Sequence, residues 1–300
     1  MNIQEIREFG NLELLAKQLV EGFITGLHKS PYHGFSVEFA EHRLYNPGES
    51  TRHIDWKVYA RTDKLFTKVF DEETNLRCSI ILDNSPSMHY PKDTKAKLAF
   101  STTAAAALCY LLQKQRDAFG LISFSEELEI QTPIKSSGSH LHKILLTLDE
   151  LQKSETPSSR NTNIAINLHQ IASKLNKRSL VILFTDMFEH GRTLDETFEA
   201  LEHLKHNMHE VLIFHVTDHK TELNFEFENK PHEFIDMETG EKIKLNPSAI
   251  QESYTQNMNE YFKEIKLRCG QAKIDLIEVN TQDKIEKILA AYLVKRSKMK

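Results

Sequence analysis

The chain has 300 residues, 40% of them hydrophobic and 27% charged, with a formal net charge of −5. That supplies apolar material for a sizeable core and gives no support for a nucleic-acid footprint, which is normally basic. Cys78, Cys109 and Cys269 are far apart and odd in number, which excludes a disulfide framework and a C-x-x-C metal knuckle and points to a reducing compartment.

Residues 1–76 are expected to form an N-terminal extension. It opens with an amphipathic helix over Leu12–Leu27 and continues into a polar stretch studded with aromatics. Met1-Asn2-Ile3-Gln4-Glu5 lacks the basic-then-apolar layout of a signal peptide. The longest apolar stretch, Ala104 to Leu112, is well short of the ~20 residues needed for a membrane span. The expected location is therefore the cytoplasm, with no direct membrane span.

From residue 77 to 300 the pattern changes. Five short runs rich in Ile, Leu, Val and Phe read as buried strands: Cys78–Leu82, Phe119–Phe124, Ser179–Phe184, Val211–Val216 and Ile274–Val279. Leu128–Thr132 adds a candidate edge strand. Helices are expected over Lys95–Gln115, His140–Leu151, Asn163–Leu175, Asp195–His206, Pro247–Leu267 and Thr281–Lys295. This alternation predicts an α/β fold with a mostly parallel sheet flanked by helices. The run Ala104-Ala105-Ala106-Ala107 describes a helix buried against that sheet at close backbone approach. A small inserted β-hairpin is expected over about residues 222–246, from Phe225/Phe227, Phe234-Ile235 and Ile243/Leu245 around Glu238-Thr239-Gly240.

The most informative junction follows the first buried run. Asp83-Asn84-Ser85-Pro86-Ser87 places one carboxylate and two hydroxyls at i, i+2 and i+4 on the loop leaving a strand. Open α/β sheets bind ligands at such strand ends. Oxygen donors without thiols or imidazoles suit a hard cation such as Mg²⁺, with Mn²⁺ as the alternative. Ser and Asp after a strand are also ordinary cap and turn residues. Thr162, in the turn Ser159–Asn163, and Asp186, which ends the run Leu180–Thr185, favour the metal reading because they supply further ligands.

D-x-S-x-S, a loop threonine and a strand-end aspartate resemble the metal-ion-dependent adhesion site of von Willebrand factor A domains. The resemblance implies a Rossmann-type sheet. It also implies a cation coordinated by Ser85, Ser87 and often Thr162, with Asp83 and Asp186 acting directly or through water. A partner's carboxylate would then be the sixth ligand. The chain departs from the pattern before the threonine, where Ser158-Ser159-Arg160-Asn161 replaces a Gly-rich stretch. Arg160 beside a cation would lower metal affinity.

A second resemblance lies upstream. Arg43-Leu44-Tyr45-Asn46-Pro47-Gly48-Glu49, Arg52-His53-Ile54-Asp55-Trp56 and Ala60-Arg61-Thr62 are similar to the signature of the bacterial domain-of-unknown-function family 58. That family carries a von Willebrand factor A-like domain downstream. Its hairpin resembles residues 234–241 and its tail resembles the helix ending at Arg296. The resemblance implies a cytoplasmic, non-enzymatic role beside a MoxR-type AAA+ ATPase, acting on a client protein in the assembly or maturation of another complex. Arg43, Arg52, Asp55, Trp56 and Arg61 form either a partner-facing surface or a structural clamp. The clamp is favoured, with Asp55 paired to an arginine and Trp56 anchoring the extension.

Other classes fit less well. A phosphotransferase built on Asp83 wants a second carboxylate where Ser85 stands. A hydrolase using Ser85 or Ser87 lacks the G-x-S-x-G elbow. His203, His206 and His209, or His215 and His219, lack the H-E-x-x-H constellation and read as solvated or hydrogen-bonded histidines. A metal-free structural scaffold remains the alternative to the adaptor reading.

Overall fold

The computed structural model describes residues 12–28, 41–44, 56–69, 76–155, 164–188, 193–237 and 240–297. The chain divides into two units, residues 1–23 with 76–300 and residues 24–75. The smaller unit holds a two-stranded antiparallel ribbon, β1 (Glu41–Leu44) with β2 (Phe66–Val69), and a short helix, α2 (Trp56–Thr62). Helix α1 (Leu12–His28) begins in the main unit, where Leu12, Ala16 and Val20 are buried at four-residue spacing. One apolar stripe with polar flanks makes it amphipathic.

In the main unit six strands form one sheet in the order β10-β7-β6-β3-β4-β5. They are β3 (Arg77–Asp83), β4 (Ala118–Phe124), β5 (Leu128–Gln131), β6 (Leu180–Thr185), β7 (Glu210–Thr217) and β10 (Asp275–Asn280). All neighbours are parallel except β4–β5, which pair antiparallel at the edge. The five expected runs fall on the five parallel strands, because continuous apolar runs suit strands covered on both faces. β5 alternates half-buried and exposed residues instead, as a sheet edge does.

Helices α3 (Ala96–Lys114), α4 (Gly138–Lys153), α5 (Ile164–Lys174), α6 (Thr193–His206), α7 (Pro247–Gln271) and α8 (Ile285–Ser297) complete the unit. In α3, Ala104 to Ala107 are fully buried. The hydroxyls of Ser101, Thr102 and Thr103, also buried, donate to the carbonyls of Lys97, Leu98 and Ala99 at 2.8, 2.9 and 2.7 Å, so a helix without a polar face leaves these groups satisfied.

The inserted hairpin is shorter than expected. Its strands are β8 (His232–Ile235) and β9 (Lys242–Leu245), with Phe234 opposite Ile243. Gly240 takes φ +74 in the turn, a conformation that favours glycine. Phe225 and Phe227 lie outside the strands. Their rings cluster with Phe234, and Phe225 meets Tyr254 of α7 at 4.4 Å between centroids. The alternation of apolar residues there reflects aromatic packing rather than a pleat.

Candidate functional site

The sheet order places a topological switch point between β3 and β6. From β3 the chain proceeds to β4 and β5 on one side, then crosses back to β6 on the other. Ligand crevices of open α/β sheets lie at such points. Register pairs Leu82 with Phe184, so Asp83 and Thr185 follow side by side and Asp186 comes one residue later.

Asp83 is fully buried. Its Oδ1 accepts the Ser85 backbone N–H at 2.9 Å and its Oδ2 accepts the Thr185 hydroxyl at 2.6 Å. Thr185 Oγ1 in turn accepts the Met187 N–H at 3.0 Å. Thr185, unremarked in the sequence, thus ties the two loops together. Burial and the neighbouring Asp186 charge push the Asp83 carboxyl up to about 7, against the hydrogen bonds from Thr185 and Ser85. A bound cation would favour the ionised form of Asp83.

The Ser85 and Ser87 hydroxyls are 3.0 Å apart. Neighbouring ligands of an octahedral Mg²⁺ with bonds of 2.0–2.1 Å sit roughly 2.9 Å apart, so this spacing fits two adjacent coordination positions. Ser85 is buried and Ser87 half-buried, which brings the loop out to the surface at Ser87. Asn84, between Asp83 and Ser85, donates to Glu129 Oε2 at 2.9 Å and accepts from His89 Nε2 at 2.9 Å. Glu129 also receives the hydroxyls of Ser123 and Ser125. Second contacts of this kind hold a ligand loop in one orientation.

Asp186 is differently placed from the expectation that it serves the cation. Its Oδ2 holds the Lys97 ammonium at 2.7 Å and its Oδ1 accepts the Phe188 N–H at 3.2 Å. Lys97 also reaches Glu222 Oε1 at 2.5 Å, and both Lys97 and Asp186 are fully buried. Burial disfavours the ammonium, but the two carboxylates outweigh it and hold the Lys97 pKa above the ordinary lysine range. Sequence reasoning missed Lys97 and Glu222. The available signal was a lysine in the first turn of a helix that is apolar on every side.

Thr162, Arg52 and Asp55 lie outside the described residues. Arg43 sits in β1, and Arg61 is exposed in α2. Trp56 is 61% exposed, with its ring edge-on to Tyr59 at 6.1 Å. Among the described residues no group of three or more His, Cys, Asp or Glu side chains is placed to hold a metal ion. The donor set at Asp83 differs in kind, being one carboxylate with two hydroxyls. Of the histidines, His209 Nδ1 accepts the Ser179 N–H at 3.2 Å, His215 Nε2 donates to the Asp186 carbonyl at 2.8 Å and His203 pairs with His169. These three are hydrogen-bonded groups.

The sheet order, the antiparallel edge strand and the D-x-S-x-S loop at the switch point define a von Willebrand factor A-like domain. More particularly, residues 41–264 match the family described as protein of unknown function DUF58, and the chain belongs to that family. Uncharacterized protein Rv1480 of Mycobacterium tuberculosis and uncharacterized protein Mb1516 of Mycobacterium bovis are each 25% identical over 175 residues. The match covers 58% of this chain and 55% of each relative, so the chain spans about half the length of the curated relatives it matches. Among solved structures, the conserved hypothetical protein BatB from Bacteroides thetaiotaomicron is similar at 17% identity and a TM-score of 0.45. An aerotolerance-related membrane protein from Bacteroides fragilis is similar at 17% identity and a TM-score of 0.46. Each similarity covers 74% of this chain and 99% of the other. Among the described residues of this chain, no helix is long and apolar enough to cross a membrane.

Proposed function

We propose that the protein is a non-enzymatic docking module in which Asp83, Ser85 and Ser87 hold a divalent cation, Mg²⁺ or Mn²⁺, and a partner protein binds through a carboxylate presented to that cation. The observation that carries this reading is the 3.0 Å spacing of the Ser85 and Ser87 hydroxyls beside a fully buried carboxylate at the sheet's switch point. When bound, the cation supplies a positive centre for an oxygen ligand. Two neutral hydroxyls beside one carboxylate leave much of that charge uncompensated, which favours a carboxylate from outside. Ser87 marks the surface end of the loop, while Thr185 and Asn84 keep the loop in place.

Against a serine hydrolase, Ser85 and Ser87 bond each other, and His89 spends its Nε2 proton on Asn84. A serine nucleophile needs a base aimed at it. The proposed partner is a MoxR-type AAA+ ATPase, with which the protein acts on a client protein in the cytoplasm during assembly or maturation of another complex.

The test is calorimetric titration of Mg²⁺ and Mn²⁺ into metal-stripped wild type and Asp83→Ala, with the candidate ATPase then added to each. Saturable wild-type binding that is lost in Asp83→Ala, with ATPase affinity following the metal, is the expected result. Partner binding unchanged by the substitution sinks the reading. The second reading, a metal-free scaffold, is favoured by the Lys97 ammonium on Asp186, and it predicts no metal binding in either protein.

A further inference from the structure

Lys97 stands in the first turn of α3 with its side chain wholly buried. Its ammonium lies 2.7 Å from Asp186 Oδ2 and 2.5 Å from Glu222 Oε1. The rings of Tyr90 and Phe188 have their centroids 5.7 and 5.4 Å from the same nitrogen, within the range of cation–π attraction. Every contact named favours a positive charge at this point.

Glu222 comes from the single-turn π-helix His219–Leu223 that follows β7, and it is held in place independently of Lys97. Its Oε2 accepts the Asp218 N–H at 2.7 Å, and its backbone carbonyl accepts the Tyr254 hydroxyl at 2.9 Å. Asp186 is equally occupied, with the ammonium on one oxygen and the Phe188 N–H on the other. The carboxylate that the adhesion-site pattern would lend to a metal already has a cation.

We infer that Lys97 is a built-in counter-ion of this site, which withholds Asp186 from the divalent cation and so sets metal affinity low. The inference rests on the docking reading above, in which Asp83, Ser85 and Ser87 hold the metal. Withholding one anionic ligand leaves more residual charge on the ion, and an ammonium on the adjacent carboxylate repels a second cation. Both effects make the ion exchangeable and strengthen its demand for an outside carboxylate. Lys97 acts here as a specificity-determining residue that touches neither metal nor partner.

The experiment is calorimetry of Mn²⁺ and Mg²⁺ on metal-stripped wild type, Asp186→Asn and the double variant Lys97→Met/Glu222→Gln, with thermal unfolding of each as a second readout. The double variant removes the ammonium together with one of its carboxylates, leaving Asp186 for the metal. The expected results are an affinity for Asp186→Asn within about twofold of wild type and binding at least about tenfold tighter in the double variant. Metal should also raise the double variant's melting temperature more than the wild type's. A drop of about tenfold or more in Asp186→Asn, or a double variant no tighter than wild type, overturns the inference and leaves the docking reading standing. Metal binding by the double variant but not by wild type overturns the docking reading and, with it, the inference. Absence of binding in all three proteins overturns both. Should the double variant not fold, Asp186→Asn alone decides, since it keeps the Lys97–Glu222 pair.

Discussion

At the carboxyl ends of β3 and β6 a lysine meets two carboxylates. At the amino end of β4 an arginine meets one. Arg296 of α8 forks onto both oxygens of the buried Asp117, and its Nη1 also bonds Gln115 Oε1 at 2.7 Å and the Tyr292 hydroxyl at 2.9 Å. Asp117 Oδ1 in turn accepts the Leu76 N–H at the entry to β3. A planar guanidinium fixes direction as well as charge, so this contact staples the last helix to two strand entries. An ammonium is a point charge with no such fork. The Lys97 centre therefore balances charge where the Arg296 centre fixes geometry, and another cation is a conceivable substitute at the first but not at the second.

The comparison can be broken most forcefully at the first centre. Lys97→Met leaves the buried Asp186 and the half-buried Glu222 without their cation, and it is expected to cost about 3–5 kcal/mol, read as a lowered urea midpoint. Next comes Arg296→Ala, with an expected loss of about 2–3 kcal/mol because Asp117 is 2% exposed and keeps few partners. Arg296→Lys should recover less than half of that loss, since charge returns without the fork. Full recovery by lysine would show that this centre, too, works by charge alone.

A smaller effect concerns pH. Burial lowers the His209 pKa below its usual value, and the ring's Nδ1 accepts the Ser179 N–H. A histidine held neutral costs nothing above its unfolded pKa near 6.5, and it destabilises the fold as pH falls below that, because the unfolded chain takes up the proton. His209→Asn keeps an acceptor for Ser179. Its stability relative to wild type should therefore improve as pH falls from 7.5 to 5, measured by denaturant titration at each pH. The smallest effect is expected from Trp56→Ala. With the ring 61% exposed, its melting temperature should stay within the range set by about 0.5 kcal/mol. Lost binding of the proposed partner at full stability would assign the signature a partner-facing role, whereas a large drop in melting temperature would support the clamp.

Much of the fold was legible because runs such as Ile80-Ile81-Leu82 and Val181-Ile182-Leu183-Phe184 are too short for helices and too apolar for an exposed edge. The sequence offers Leu128–Thr132 as an edge strand, and Leu128–Gln131 pair antiparallel at the sheet's edge. Phe225 and Phe227 misled because aromatic residues two apart mimic a pleat while packing on Phe234 and Tyr254. Asp83, Ser85 and Ser87 were readable as a unit because their geometry is local. The Lys97–Asp186–Glu222 centre was not, since its members are 89 and 125 residues from the lysine and no local pattern connects them. Thr185 was hidden in an apolar run, where a threonine reads as one more β-branched strand residue.

Helix α3 has a mechanical consequence. Its alanines Ala104 to Ala107 are wholly buried, and the same helix carries Lys97 seven residues before the first of them. At 1.5 Å of rise per residue that is a lever arm of about 10 Å. A bulky substitution such as Ala105→Leu would lift the rod near its middle, and the displacement would travel to the end where the ammonium meets Asp186. Substitutions far from the loop are thus expected to shift the Lys97–Asp186 contact through a single helix, without changing any residue at that contact.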